Sequence, residues 1–154
     1  MKFNINSKDG NARAAELTIN GKHLETPAFM TIGTYGSVKT LDTSDLKECN
    51  VNIILSNAFH LMLRPGTDLI QSYGGLHEFM NWDKLILTDS GGYQVFSLGQ
   101  DVKVNNNAAE FRSPFNGEKV IMTPEKSIDV QSKLNTDIMM IFDECIKYPS
   151  DISE

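Results

Sequence analysis

Three stretches of the chain are continuous apolar runs with no polar alternation: Val51–Ser56 (VNIILS), Leu85–Thr88 (LILT) and Ile138–Phe142 (IMMIF). A strand covered on both faces has no side to show to water, so such runs predict buried strands of the parallel type. Ala28–Ile32 (AFMTI), preceded by Pro27, is a weaker fourth candidate. Helical segments fall between the runs. Asp42, Thr43 and Ser44 offer side-chain oxygens to cap a short helix through Cys49. Pro65–Tyr73 predicts a second short helix, stopped by Gly74-Gly75. Thr123-Pro124-Glu125 is the clearest start signal, with a capping hydroxyl, proline at the first helical position and an acid in the first turn. The helix that follows buries Val130 and Leu134, one turn apart.

Two segments break this rhythm. Residues 3–26 predict a small antiparallel sheet with a turn at Asn20-Gly21. Residues 102–122 predict a hairpin, with Asn116-Gly117 supplying the positive φ angles of a tight turn, Pro114 on an exposed edge and Asn105-Asn106-Asn107 at a loop tip. Strands alternating with helices imply a parallel α/β fold. A complete (β/α)8 barrel takes typically ~250 residues, and four strands are half of one. The expected fold class is therefore α/β of the (β/α)8 TIM-barrel type, limited to the N-terminal antiparallel sheet and roughly the first half of the barrel. Residues 1–154 would form one domain: the small sheet over about 3–26, and barrel units over about 27–154 with the hairpin inserted at about 102–122. The chain stops after a strand and a Pro149 turn, where a further helix is due, and so reads as a truncated barrel.

Composition adds limits more than direction. Of 154 residues, 40% are hydrophobic and 22% charged, which is ordinary for a globular domain. No run of apolar residues is long enough to span a membrane. Met1–Asn6 lacks the apolar core of a signal peptide, so the expected location is the cytoplasm. Cys49 and Cys145 lack the short spacing of a zinc site or redox pair and are expected to be two buried, reduced thiols. The formal charge is −6, with 14 basic against 20 acidic residues and no basic cluster. Nucleic-acid binders usually carry a basic surface, so charge alone argues mildly against such a substrate.

The candidate chemistry lies at two strand ends. LILT runs into Asp89-Ser90-Gly91-Gly92-Tyr93, and IMMIF runs into Asp143-Glu144-Cys145. Parallel α/β folds gather their active sites at the C-terminal ends of the strands. Two carboxylates there suit a general acid/base plus an acceptor for the N–H donors of a guanine-like base. An acid at a strand end can equally cap the next helix. Ser90-Gly91-Gly92 allows a ligand close to the backbone, and phosphate binding or a plain tight turn explains it as well. Tyr93 offers a ring for stacking on a base, or a core side chain. Asp-Ser-Gly-Gly also occurs around the nucleophile of chymotrypsin-like proteases, but Thr88 and Tyr93 flank it here where those enzymes have Gly and Pro. His23, His60 and His77 have no ligand spacing and read as structural.

Whole phrases carry a resemblance further. Thr26–Met30, Gly36–Lys39, Leu55–Leu61 (LSNAFHL), Leu63–Gly66, Leu87–Ser97 (LTDSGGYQVFS) and Phe142–Cys145 (FDEC) resemble the tRNA-guanine transglycosylase family, specifically its bacterial, queuosine-forming branch, in order and spacing across nearly the whole chain. The resemblance implies that Asp89 is the general acid/base and that Asp89, Ser90, Gly91, Gly92 and Tyr93 line a base pocket. It implies that Tyr93 stacks on the base, Asp143 bonds its pyrimidine edge, Asn57 orients Asp89 in the empty site, and Cys145 touches the bound base. His60 and Arg64 fall in matching phrases without an implied role. The implied reaction is base exchange at the tRNA wobble position. An aspartate attacks the ribose C1′ and expels guanine, and 7-aminomethyl-7-deazaguanine then displaces the enzyme. In that family the nucleophilic aspartate and a cysteine-rich zinc site with one histidine lie in the later half of the barrel, and no position of this chain matches either. The implied cofactor of the full-length protein is thus Zn2+, held outside this chain. The implied partners are tRNA, guanine or a 7-deazaguanine base, and a second copy in a homodimer, with no membrane. By itself the chain is expected to be inactive. A truncated homologue serving as a base-binding or partner subunit is one alternative, and an unrelated barrel enzyme binding phosphate at the glycine turn is another.

Overall fold

In the computed structural model, which describes residues 1–99, 102–146 and 148–151, three antiparallel strands open the chain. They are β1 (Lys2–Asp9), β2 (Ala12–Ile19) and β3 (Lys22–Thr26). Asn20 and Gly21 turn β2 into β3 with φ of 51° and 76°, the pair of positive angles that matches the twist of a tight hairpin. Ile19 and Leu24 are buried and pack on Ile53 and Leu85 of the sheet that follows.

That second sheet begins with β4 (Thr31–Ile32), β5 (Ile53–Ser56) and β6 (Leu85–Thr88). Between β4 and β5 lies α1 (Thr43–Glu48), whose cap is reciprocal. The Asp42 carboxylate accepts from the amides of Ser44 and Asp45 at 2.7 and 2.9 Å, and Asp45 accepts from the Asp42 amide at 2.9 Å. Between β5 and β6 come α2 (Ala58–Leu63), α3 (Thr67–Ser72) and α4 (Leu76–Met80). After β6 follow α5 (Gly92–Ser97), the antiparallel insertion β7 (Lys103–Val104), β8 (Ala109–Arg112) and β9 (Lys119–Met122), then α6 (Pro124–Leu134) and β10 (Ile138–Met139). Thr123 caps α6 by accepting from the Lys126 amide at 3.1 Å.

The second sheet is parallel, and its order in space, β4-β5-β6-β10, is its order in the chain. A doubly wound sheet reverses direction at a switch point; this one advances one strand at a time, as a barrel wall does. Ile54 and Ile86 stand side by side in the buried cluster with Leu61, Ile70, Val130 and Leu134 from the helices and Trp82 from the connection after α4. The next register row, Ile32, Leu55, Leu87 and Ile138, turns to the opposite face. There Leu55 and Leu87 are only half-buried and Ile32 is 58% exposed. A sheet with one face packed under helices and a second, partly open apolar face has the side-chain plan of a barrel wall. The described residues close no barrel.

A polar cluster ties the two sheets together at the N-terminal end of the parallel strands. Asp137, whose side chain is 4% exposed, accepts from the Ile86 amide at 3.0 Å, from Lys22 Nζ at 3.0 and 3.2 Å, and from Asn20 Nδ2 at 3.2 Å. His77 Nε2 lies 2.9 Å from the same carboxylate, and its Nδ1 lies 2.8 Å from the Trp82 carbonyl. Burial works to raise the Asp137 pKa, but the bonds from Ile86, Lys22 and Asn20 and the charge of His77 outweigh it. The carboxyl is held below its ordinary range.

Several expectations need correction. The IMMIF run pairs only as Ile138–Met139, because its neighbour β6 ends at Thr88, the partner of Met139; the Met140 amide reaches the Thr88 carbonyl at 3.3 Å and Gln131 Oε1 at 2.9 Å. The β8–β9 connection is six residues long, Ser113 to Glu118, and only Gly117 has positive φ (71°), so Asn116-Gly117 is no two-residue turn and Pro114 lies in the loop. The helices α2, α4 and α5 were not predicted. The thiols are not both buried: Cys49 is exposed and Cys145 half-buried.

Candidate functional site

Asp89 follows β6 directly, and its carboxylate turns toward the N-terminus of α2. Its Oδ1 accepts from the Ala58 amide at 2.8 Å and its Oδ2 from the Asn57 side-chain amide. Asn57 is the N-cap of α2 without capping it; its side chain is committed to Asp89 instead. Burial is the largest influence on the Asp89 carboxyl and pushes its pKa up. The Ala58 amide, Asn57, the charge of His60 and the Gly91 amide pull the other way without cancelling it. Desolvation raises a carboxyl when no close cation compensates, and the two bonded partners here are both neutral. His60 also lies 3.3 Å from the Tyr35 hydroxyl.

The next four residues make the turn that brings the second acid in. Gly91 takes φ 84°, a left-handed conformation that glycine adopts without strain. Ser90 is buried; its hydroxyl donates to Asp143 Oδ1 at 2.5 Å and accepts from the Gly92 amide at 3.1 Å. Gly92 sits where a Cβ would collide with the main-chain carbonyl of Asp143 and lie 2.6 Å from its Oδ1, so any side chain here would push Asp143 away. With its amide bonded to Ser90, Gly92 is not offered to a phosphate, which weakens the phosphate reading of the glycine turn. Cys145 Sγ lies 3.9 Å from Asp143 Oδ2. Burial, together with the neighbouring negative charge of Asp143 and the contact to it, raises the Cys145 thiol pKa, so this is no activated thiolate.

Asp89, Ser90, Gly91, Tyr93 and Asp143 line one recess with Gln94, Met140 and Ile141. Tyr93, in the first turn of α5, is 64% exposed, so its ring is available at the recess instead of being used in the core. Gly92 and Cys145 line an adjoining cavity of about 220 Å³ on the other side of Asp143, together with Phe96 and the Asn105–Asn107 loop tip. Arg64 ends α2 and borders a separate surface hollow with Tyr35 and Phe115. Sequence reasoning missed the Ala58 amide, Gln94, Met140 and Ile141. A backbone donor has no signature in the residue type, and the apolar two were read as strand.

The recess places an exposed aromatic ring beside two carboxylates, one of them raised in pKa by burial, a set of groups that suits a planar ligand rich in N–H donors. Comparison with known sequences shows the family. The profile of the family described as Queuine tRNA-ribosyltransferase matches residues 8–154, and the chain belongs to that family. A queuine tRNA-ribosyltransferase of Herminiimonas arsenicoxydans is 54% identical over 151 residues, covering 98% of this chain and 40% of the relative. One from Idiomarina loihiensis is 53% identical over 154 residues, covering 100% of this chain and 41% of the relative. The chain thus spans about two-fifths of the length of the curated relatives it matches. Among the described residues no helix is long and apolar enough to cross a membrane.

Proposed function

We propose that the full-length protein exchanges the wobble guanine of tRNA for 7-aminomethyl-7-deazaguanine, and that this chain supplies its base pocket and its acid/base. The observation that carries the reading is the Asp89 carboxyl, raised in pKa by burial, bonded by Asn57 and Ala58, and facing the same recess as Asp143. A carboxyl of this kind can give a proton to a departing base and take one from its replacement. Asp143, an acceptor fixed by Ser90, suits the N–H donors on the pyrimidine edge of a guanine-like base. Tyr93 suits stacking on its face.

The nucleophile that attacks C1′, the remaining barrel strands and the surface that holds tRNA belong, on this reading, to the further three-fifths of the protein. So does zinc. Among the described residues no group of three or more His, Cys, Asp or Glu is placed to hold a metal, so those residues do not fit that role. A homodimer belongs to the same reading of the whole protein. The test is incorporation of labelled guanine into tRNA. The full-length protein should incorporate it and residues 1–154 alone should not; a full-length protein that incorporates none would refute the reading.

A further inference from the structure

Behind the recess, α6 presents two buried polar side chains that the chemistry above does not use. Gln131 is fully buried, and its amide grips one residue of the strand end from both sides: Oε1 accepts from the Met140 amide at 2.9 Å, and Nε2 donates to the Met140 carbonyl at 2.9 Å. The same oxygen accepts from the Thr88 hydroxyl at 3.0 Å. One turn earlier, Ser127 is also fully buried; it donates to the Ser90 carbonyl at 2.7 Å and accepts from Gln131 Nε2 at 3.2 Å. A primary amide is the side chain that offers a donor and an acceptor in this fork, whereas a carboxylate offers acceptors alone. The Met140 amide also reaches the Thr88 carbonyl of β6 at 3.3 Å, so Gln131 reinforces the last ladder bond of β10 and alone holds the Met140 carbonyl, where regular pairing has ended at Met139.

Both grips end on the recess. Met140 lines it and precedes Asp143 by three residues, and Ser90 is the residue whose hydroxyl fixes Asp143. We propose that Gln131 and Ser127 are positioning residues for base recognition: one pair on a single helix sets the height of the Met140–Asp143 segment and of the Ser90 turn relative to each other. Base affinity then depends on two side chains that never touch the base. The inference rests on the base-exchange reading of the recess.

The test uses the full-length protein and steady-state guanine exchange into tRNA, with the KM for guanine, the KM for tRNA and kcat measured separately. Gln131→Met keeps the volume and removes the fork; Ser127→Ala is the milder variant should the first fold poorly. Each should raise the KM for guanine, by ~10-fold for Gln131→Met on the scale of a buried hydrogen bond left unmade, with the KM for tRNA within about twofold of wild type. His77→Ala, which loosens the polar cluster at the far end of the strands, serves as the control for lost stability alone. It should lower the melting temperature and leave the KM for guanine unchanged. If Gln131→Met and Ser127→Ala lower the melting temperature yet keep the wild-type KM for guanine, the positioning role is overturned while the reading of the site stands. A wild-type protein that exchanges no guanine overturns the reading and this inference with it.

Discussion

Asp89 and Asp137 are the same side chain at opposite ends of one sheet, and their surroundings push them in opposite directions. Asp89 follows the C-terminal end of β6 and bonds two neutral partners, Asn57 and Ala58; burial raises its pKa. Asp137 precedes β10 at the N-terminal end, where Lys22 and His77 meet its carboxylate directly, and its pKa is lowered. Residue type alone separates neither from the other. A direct ion pair does: the carboxylate paired with Lys22 has its pKa lowered and serves structure, while the one bonded only by neutral amides has its pKa raised by burial.

The largest effect expected is on catalysis. Asp89→Asn keeps size and shape but cannot exchange a proton, so turnover of the full-length protein in guanine exchange should fall by ~10²–10⁴-fold. Asp137→Asn should instead act on stability. Removing the charge from a buried pair leaves Lys22 and His77 facing a neutral amide, at a cost of about 3 kcal/mol in chemical denaturation, with turnover at permissive temperature close to wild type. The sign with pH follows. Because the folded pKa of Asp137 is lowered, its stabilisation is present above the unfolded value of ~3.9 and is lost as pH falls through the folded value. Asp137→Asn should therefore flatten that acid limb of a stability-versus-pH curve. Asp89, with a raised folded pKa, contributes with the opposite sign: its share is present at low pH and lost as pH rises through the folded value.

A smaller effect separates the two acids of the recess. Asp143→Asn swaps one acceptor for a donor opposite donors, at ~1–3 kcal/mol. Weaker guanine binding and poorer discrimination against other purines should result, measured as the ratio of their exchange rates, with chemistry at saturating base impaired only secondarily. Asp143→Asn dead at saturating base, beside a normal Asp89→Asn, would reverse the assignment. The smallest pair is at Tyr93. Tyr93→Ala should weaken base binding by ~10-fold through lost stacking, and Tyr93→Phe should be nearly silent. Equal losses in both would assign the role to the hydroxyl.

What could be read from the sequence divides along the same lines. The runs Leu85–Thr88 and Val51–Ser56, which pairs from Ile53, the Thr123 cap and the Asn20-Gly21 turn were legible because each signal is local, set by periodicity or by one dipeptide. The strand-end acids were legible from position alone. Short helices were not: α2 (AFHLML) has no polar face to mark a period, and α5 opens on Gly92, which reads as turn. The Lys22–Asp137 contact joins residues 115 positions apart, and the Gln131 fork stands in for backbone pairing. Neither leaves a trace in local pattern. The family was legible because whole phrases repeat it, and two of them, Leu87–Ser97 and Phe142–Cys145, meet at the recess, where a Cβ on Gly92 would collide with Asp143 and Ser90 bonds its carboxylate.

The most direct test of the contrast compares melting temperatures of full-length Asp89→Asn and Asp137→Asn with wild type at neutral pH. An aspartate whose ionised form is disfavoured by burial loses that penalty when replaced by a neutral amide. Asn57 can turn its side-chain oxygen to the new NH2 while Ala58 keeps its acceptor, so Asp89→Asn should melt at or above wild type, and Asp137→Asn clearly below it. Asp89→Asn melting as far below wild type as Asp137→Asn, with guanine exchange intact, would make Asp89 a second structural aspartate and contradict its place in the chemistry.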